Sequence, residues 1–188
     1  MAKLIFITHP DVDIDPERAI PDWGLTATGR ARARAFASSP ILSRVTAIWS
    51  STERKAVETA ECLASPRGLT VRTNAELGEN DRSATGFLPR ETFEAAADEF
   101  FARPDESFRG WERAIDAQDR ITSAARSIVA QHEHGDLALV SHGAVGTLLW
   151  CRLMGLAIDR CHDQAAQGHF WVADIASLRP ETGSRLFG

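Results

Sequence analysis

Cysteine is scarce in this chain. Among its 188 residues there are three cysteines, Cys62, Cys151 and Cys161, an odd number without the spacing of a zinc site. A disulfide framework and a cysteine-bound metal therefore find no support. Reduced cysteines agree with a cytoplasmic location, which we expect for this protein.

An excess of positive charge is also missing. Lysine and arginine number 21 against 26 aspartate and glutamate residues, for a formal net charge of -5. Proteins that bind nucleic acid normally carry a basic excess, so we expect no nucleic-acid partner. Because the same charge repels anions at long range, any phosphate site must depend on local cations.

Long apolar segments are absent as well. No window approaches the ~20 apolar residues of a membrane span, so we expect no membrane partner. The apolar run at residues 1–8 is too short for a signal peptide and lacks a cleavage site. Without repeats or low-complexity linkers, the length predicts one domain over residues 1–188.

Short apolar runs alternate with longer amphipathic ones along the chain. The pattern predicts strands at residues 4–7, 45–49, 69–72, 137–140 and 169–175. It predicts helices at residues 26–37, 54–64, 91–101, 111–131 and 144–154, the first capped by Thr26 or Thr28. This alternation is typical of an α/β fold, a three-layer sandwich with a mostly parallel central sheet flanked by helices.

Histidines, hydroxyls and cations follow three of the predicted strands. They lie in Thr8-His9-Pro10, in Ser50-Ser51-Thr52-Glu53-Arg54-Lys55 and in Ser141-His142-Gly143. Taken singly, each block has a simpler explanation, as a helix cap or a hydrogen-bonded structural histidine. Ligands bind parallel sheets at the carboxyl ends of the strands, where helix N-termini favour anions. Together, the three blocks therefore predict an anion site.

The order of these blocks resembles the histidine phosphatase (phosphoglycerate mutase-like) superfamily. The resemblance extends from about Lys3 to Gly155. In chain order, the similar segments are Thr8-His9-Pro10, Leu25-Thr26 with Gly29, Ser50 to Ala60, Leu77-Gly78-Glu79, Glu112 with Arg120, and Val140-Ser141-His142-Gly143. The resemblance implies a phosphoglycerate mutase-like fold with His9 as covalent nucleophile and Glu79 as proton donor. It assigns phosphate binding to His142, Lys55, Ser51 and the backbone near Gly143, and it requires no metal or cofactor.

The motifs also depart from the family pattern. Thr8 stands where the family has its first phosphate-binding arginine, Pro10 replaces a glycine, and Lys55 takes the second arginine position. Lysine neutralises charge but offers no bidentate fork. Arg82 and Arg54 are the cations that could compensate. Thr-His-Pro and Glu-Arg-Lys are similar to a variant branch of the superfamily.

The resemblance implies a phosphatase that acts on a small phosphorylated metabolite. Three alternatives stay open: a mutase-type phosphotransferase, a non-catalytic member that binds a phospho-ligand or partner, and a protein phosphohistidine phosphatase. A homodimer is also left open. Asp11, Asp13 and Asp15 alternate after His9, either as a solvated acidic loop or as a receptor for a cationic group or an ion.

Overall fold

The computed structural model describes residues 1–187, so Gly188, the last residue of the predicted domain, lies outside the described residues. The strands are β1 (Lys3–Thr8), β2 (Val45–Ser50), β3 (Val71–Thr73), β4 (Asp136–Ser141), β5 (His169–Asp174) and β6 (Arg185–Leu186). The α-helices are α1 (Ala27–Ala37), α2 (Arg54–Ala64), α3 (Arg90–Ala102), α4 (Ala114–Ala130) and α5 (Gly143–Met154).

These strands form one sheet in the order β3-β2-β4-β1-β5-β6. The pairs β1–β4, β2–β4 and β2–β3 are parallel, whereas β5 pairs antiparallel with β1 and β6 antiparallel with β5. The predicted mostly parallel sheet is therefore confirmed. The sequence did not predict β6, because two residues are too short to show a period of two.

Alternation along β1 explains the three layers. Leu4 and Phe6 face a core shared with α3, α4 and α5, whereas Ile5 and Ile7 face a core shared with α1 and α2. An added Cβ at Gly146 would lie 2.6 Å from the Phe6 ring, so glycine lets α5 approach the sheet closely. The predicted α/β sandwich is confirmed.

The predicted and observed element boundaries differ most at the fourth helix. The sequence predicted a helix over residues 111–131, but α4 begins at Ala114, and Trp111 is buried in the preceding loop. The predicted cap at Thr26 is confirmed, because its side chain accepts a hydrogen bond of 2.9 Å from Gly29 N. Across residues 1–187, no helix is long and apolar enough to cross a membrane.

The sheet register brings the polar blocks to one edge. Thr8 pairs with Ser141 and Ser50 pairs with Val140, so β1, β2 and β4 end side by side. The ladder continues one residue further, where His9 N donates to the Ser141 carbonyl at 3.3 Å. His9, Ser51 and His142 therefore emerge next to one another at the carboxyl edge of the sheet.

Candidate active site

His9 lies buried at the end of β1. Its Nδ1 is 3.1 Å from the Pro10 carbonyl, and because a carbonyl only accepts, Nδ1 carries the proton. The neutral ring then has a free lone pair on Nε2. Burial, followed by the charge of Lys55, lowers the pKa of His9 to about 4, so the ring is neutral near pH 7. The site therefore holds a neutral imidazole with a free Nε2 lone pair, the form that a nucleophilic histidine requires.

His142 is fully buried beside His9, with ring centroids 5.2 Å apart. Its Nε2 lies 2.8 Å from Ser51 Oγ and 3.2 Å from Glu53 Oε1. Burial lowers the pKa of His142 well below its usual value, although Glu53 opposes this. Its Nδ1 has no hydrogen-bond partner within residues 1–187, which leaves it available to a bound ligand.

Glu53 is the functional candidate that the sequence did not reveal. Its carboxylate accepts a hydrogen bond of 2.8 Å from Glu79 N and forms an ion pair with Lys55. Burial raises the pKa of Glu53, but His142 and Lys55 outweigh burial and lower it to about 2. An ionised carboxylate thus lies among the groups expected to receive phosphate. Its place inside the strand-end block Ser50 to Lys55 was the signal in the sequence that could have indicated it.

Lys55 occupies the predicted place, but its ammonium already has partners. The side chain is buried, and Nζ donates to the Ile20 carbonyl at 3.0 Å as well as to Glu53. Its charge still reaches the site, because it lowers the pKa of His9. Lys55 therefore brings positive charge to the site while its ammonium is paired with Glu53.

Arg82 is the cation with uncommitted donors. Its guanidinium carbon lies 5.1 Å from the ring centroid of Phe93 and 5.8 Å from that of Trp111. Within residues 1–187, this guanidinium makes no hydrogen bond to the protein. Its charge makes the smallest contribution to the lowered pKa of both His9 and His142, so it lies within electrostatic reach of the site.

Arg54 lies elsewhere, which corrects its prediction as a phosphate-binding residue. Its Nε donates to Glu58 Oε1 at 2.8 Å, and Arg30 binds the other oxygen of the same carboxylate at 2.6 Å. With Asp13 and Asp15, Arg54 lines a separate cavity of about 180 Å³. The positive charge of Arg54 is therefore offset by Glu58 in an ion-pair cluster outside the site.

Glu79 has the surroundings of a proton donor. Its Oε1 accepts hydrogen bonds from Asn80 N at 3.1 Å and from Val145 N, in the first turn of α5, at 3.2 Å. Burial raises the pKa of Glu79, with the charge of Arg82 opposing. The carboxyl group is therefore protonated over a wider pH range than an exposed glutamate.

Arg120 holds the loop that carries Glu79. It donates to the carbonyls of Gly78 at 3.0 Å and Glu79 at 3.1 Å, and it binds both oxygens of Glu112 at 2.9 and 2.8 Å. The bidentate pair fixes the direction of the guanidinium plane. Glu112 and Arg120, quoted above for the resemblance, thus position the loop rather than bind a ligand.

Thr8 borders the site without reaching a phosphate position. Its Oγ1 donates to Gln164 Oε1 at 2.8 Å and accepts from His169 N at 2.9 Å. Thr8 and Gly143 both line a cavity of about 250 Å³ beside the two histidines. Ser51 Oγ accepts a hydrogen bond of 3.3 Å from Glu53 N and lies 2.8 Å from His142 Nε2. Ser51 therefore positions the His142 ring.

The alternating aspartates are not grouped as metal ligands. Asp11 pairs with Arg32 at 2.7 Å, and the hydrogen bond to Arg32 lowers the pKa of Asp11. Asp13 and Asp15 line the cavity of Arg54. Within the described residues 1–187, no three His, Cys, Asp or Glu side chains are placed to share a metal ion.

A neutral histidine, a second histidine and a carboxyl group at the carboxyl edge of a parallel sheet define a site built for phosphoryl transfer. The family model of the histidine phosphatase superfamily (branch 1) matches residues 4–173, and the chain belongs to this superfamily. No curated protein sequence matches the chain.

Solved structures share the fold. A mycobacterial glucosyl-3-phosphoglycerate phosphatase in complex with inorganic phosphate is 20% identical, with a TM-score of 0.81 over 99% of this chain and 98% of that one. YhfR of Bacillus stearothermophilus is 23% identical, with a TM-score of 0.79 over 97% and 95%. A mutant phosphoserine phosphatase from Entamoeba histolytica, bound to phosphoserine, is 19% identical, with a TM-score of 0.76 over 100% and 96%.

Proposed function

We propose that this protein hydrolyses phosphomonoesters of small metabolites through a phosphohistidine on His9. The observation that carries the proposal is the neutral, buried His9 ring, whose Nε2 lone pair is left free by the contact of Nδ1 with Pro10. Membership of the superfamily supports the same chemistry. The substrates named for two neighbours, glucosyl-3-phosphoglycerate and phosphoserine, support a small phosphorylated metabolite.

In the first step, His9 Nε2 attacks phosphorus in line and the bond from phosphorus to the leaving oxygen breaks. Glu79, kept protonated by burial, gives its proton to that oxygen. Arg82, the unpartnered Nδ1 of His142 and the first amides of α5 around Gly143 stabilise the transferring oxygens. Lys55 contributes positive charge to the site, although its ammonium is paired with Glu53.

In the second step, water attacks the phosphohistidine. The Glu79 carboxylate takes a proton from that water, the bond between Nε2 and phosphorus breaks, and phosphate leaves. Both steps use groups of this chain alone. His9 returns to its neutral tautomer because Pro10 holds the proton on Nδ1.

Thr8 is the observation that favours a second candidate, a non-catalytic member that binds a phospho-ligand. Its hydroxyl is bound to Gln164 and His169, so the block Thr8-His9-Pro10 supplies no cation. We place the chain in a variant branch in which Arg82 supplies the missing charge from another loop. Turnover of p-nitrophenyl phosphate separates the candidates, since a binding module would retain affinity for inorganic phosphate without releasing product.

The pH dependence should have an acidic optimum. His9 must be neutral, so kcat/KM should fall as pH drops through about 4. Glu79 must be protonated, so kcat/KM should also fall as pH rises through its raised pKa. This alkaline limb should be present with glycerol 3-phosphate, whose alkoxide leaving group needs a proton, and absent with p-nitrophenyl phosphate, whose leaving group needs none. Activity toward glycerol 3-phosphate that rises steadily to alkaline pH would contradict these assignments.

Activity should not depend on a divalent ion. The proposed steps draw every charge from side chains, and the described residues group no metal ligands. Dialysis against EDTA should therefore leave kcat/KM unchanged. Loss of turnover on chelation, restored by Mg²⁺ or Mn²⁺, would contradict this expectation and direct attention to Asp11, Asp13 and Asp15.

Replacement of Glu53 by glutamine should tighten the binding of inorganic phosphate. Glu53 neutralises Lys55, and glutamine removes the negative charge while keeping an oxygen near His142 Nε2. We expect the inhibition constant of phosphate to fall about tenfold, because a like charge leaves an anion site. Glu61→Gln, on the exposed side of α2, is the matched control. Weaker phosphate binding in Glu53→Gln would contradict this prediction.

A further inference from the structure

The cavity behind Thr8 is not used by the proposed phosphoryl-transfer steps. It measures about 250 Å³, room for a cluster of several water molecules or a small organic group. Thr8 and Thr147 are buried in its wall, and the larger aromatic side chains there are Trp150 and Trp171. Such a volume suits a group the size of a small sugar or polyol.

No positively charged lysine or arginine lines this cavity. Arg160, the cation nearest to Asp163 in sequence, is held by ion pairs with Glu94 and Asp98. The acid in the wall is Asp163, whose Oδ1 accepts from Thr147 Oγ1 and Gln164 N, both at 2.8 Å. Burial raises the pKa of Asp163, and a second anion beside it would raise that pKa further, so the wall disfavours a carboxylate or a second phosphate.

Polar atoms that both donate and accept surround the cavity. Its wall holds side chains of hydroxyl, amide and imidazole type, at Thr8, Thr147, His162, Gln164, His169 and Ser184. Burial lowers the pKa of His169, so this ring is neutral near pH 7. Groups that donate and accept match hydroxyl groups, and the indoles of Trp150 and Trp171 match an aliphatic skeleton.

Two residues of the cavity wall are sequence neighbours of the histidines in the site. Thr8 directly precedes His9, and Gly143 directly follows His142. The side chain of Gln164 packs against Gly143, where an added Cβ would lie 2.9 Å from its Nε2. Gly143 belongs both to this wall and to the α5 amides assigned to the transferring oxygens, so the organic part of a substrate bound there can extend into the cavity.

We propose that this cavity binds the leaving group of the substrate, and that the leaving group is uncharged and carries hydroxyl groups. The inference rests on the proposed function, since the cavity is assigned to the non-phosphoryl half of the same substrate. Asp163 and Thr147 bind hydroxyl groups, and Thr8 keeps the wall free of positive charge. Phosphorylated polyols and sugars are the substrate class, whereas phosphorylated carboxylic acids are excluded.

Two esters of the same length test this preference. Glycerol 3-phosphate and 3-phosphoglycerate differ only in a hydroxymethyl group against a carboxylate. We expect kcat/KM for glycerol 3-phosphate to be at least about tenfold higher, because one unfavourable charge contact changes kcat/KM by about this factor. Equal values, or a preference for 3-phosphoglycerate, would overturn the proposal. A preference for phosphoethanolamine over both would overturn the assignment to an uncharged group.

Variants locate the preference in the cavity. Thr8→Arg places a cation in the wall and should reverse the preference, while Asp163→Asn, which removes the repelling charge, should reduce it. Gln131→Arg adds the same charge at the exposed end of α4, at the other edge of the sheet, and should leave the ratio unchanged. Unchanged ratios in both cavity variants would show that the preference arises elsewhere.

Binding to His9→Ala protein separates this proposal from the catalytic one. Calorimetric titration with the same two esters measures the preference without turnover. Tighter binding of glycerol 3-phosphate supports the cavity assignment even if the wild-type protein proves inactive. Active wild-type protein that binds the two esters equally well in the His9→Ala background refutes the cavity assignment and leaves the proposed function intact.

Discussion

His9→Ala should lower kcat/KM for p-nitrophenyl phosphate by roughly 1,000-fold or more, the scale of losing a covalent nucleophile. The change removes the one group that forms the bond to phosphorus in the proposed steps. His142 cannot replace it, because its Nε2 accepts from Ser51 Oγ and its Nδ1 then carries the proton that it donates to the phosphoryl oxygens. Steady-state kinetics on purified protein measures the effect.

His134→Ala is the matched control. This histidine is exposed in the loop before β4, at the opposite edge of the sheet, and its side chain takes no part in the site. Its replacement should leave kcat/KM unchanged. If His9→Ala keeps most of the wild-type activity with an unaltered fold, the nucleophile has been assigned wrongly.

Arg82→Ala should lower kcat/KM by ~100-fold, in line with the loss of one preorganised donor to the transition state. Of the three predicted cations, only Arg82 keeps its donors free, since Lys55 is paired with Glu53 and Arg54 with Glu58. Phe93 and Trp111 fix the guanidinium by stacking, so little reorganisation is needed when substrate binds.

Two further variants make this prediction specific. Arg82→Lys should recover only part of the activity, because the planar fork is lost. Arg72→Ala removes an exposed arginine that stacks on Trp49 in the same manner, and it should leave kinetics unchanged. Unaltered kinetics in Arg82→Ala would contradict the role of Arg82 and leave the positive charge at the site to Lys55.

The convergence of the polar blocks followed from the sequence because it depends on backbone geometry alone. Parallel strands end at a common edge, so residues after β1, β2 and β4 had to meet there. The uninterrupted apolar run of β1 and the cap at Thr26 likewise reflect local patterns that the sequence displays directly. The fold and the pair His9 and His142 were therefore predictable.

The partners of the charged side chains could not be predicted. Successive residues on a helix point about 100° apart, so adjacent Arg54 and Lys55 enter different surroundings. Which of them faces the site depends on the rotation of α2 against the sheet. The ion pair of Lys55 with Glu53 depends further on side-chain conformations within a few ångströms. Glu53 was missed for this reason.

The covalent intermediate tests the central claim most directly. The protein is mixed with a ³²P-labelled phosphomonoester, quenched in alkali during turnover and digested for peptide mapping. We predict acid-labile label on Nε2 of His9, because Nδ1 carries the proton bound by the Pro10 carbonyl. Continued turnover with no label on His9, or with the label on another residue, would contradict the proposed mechanism.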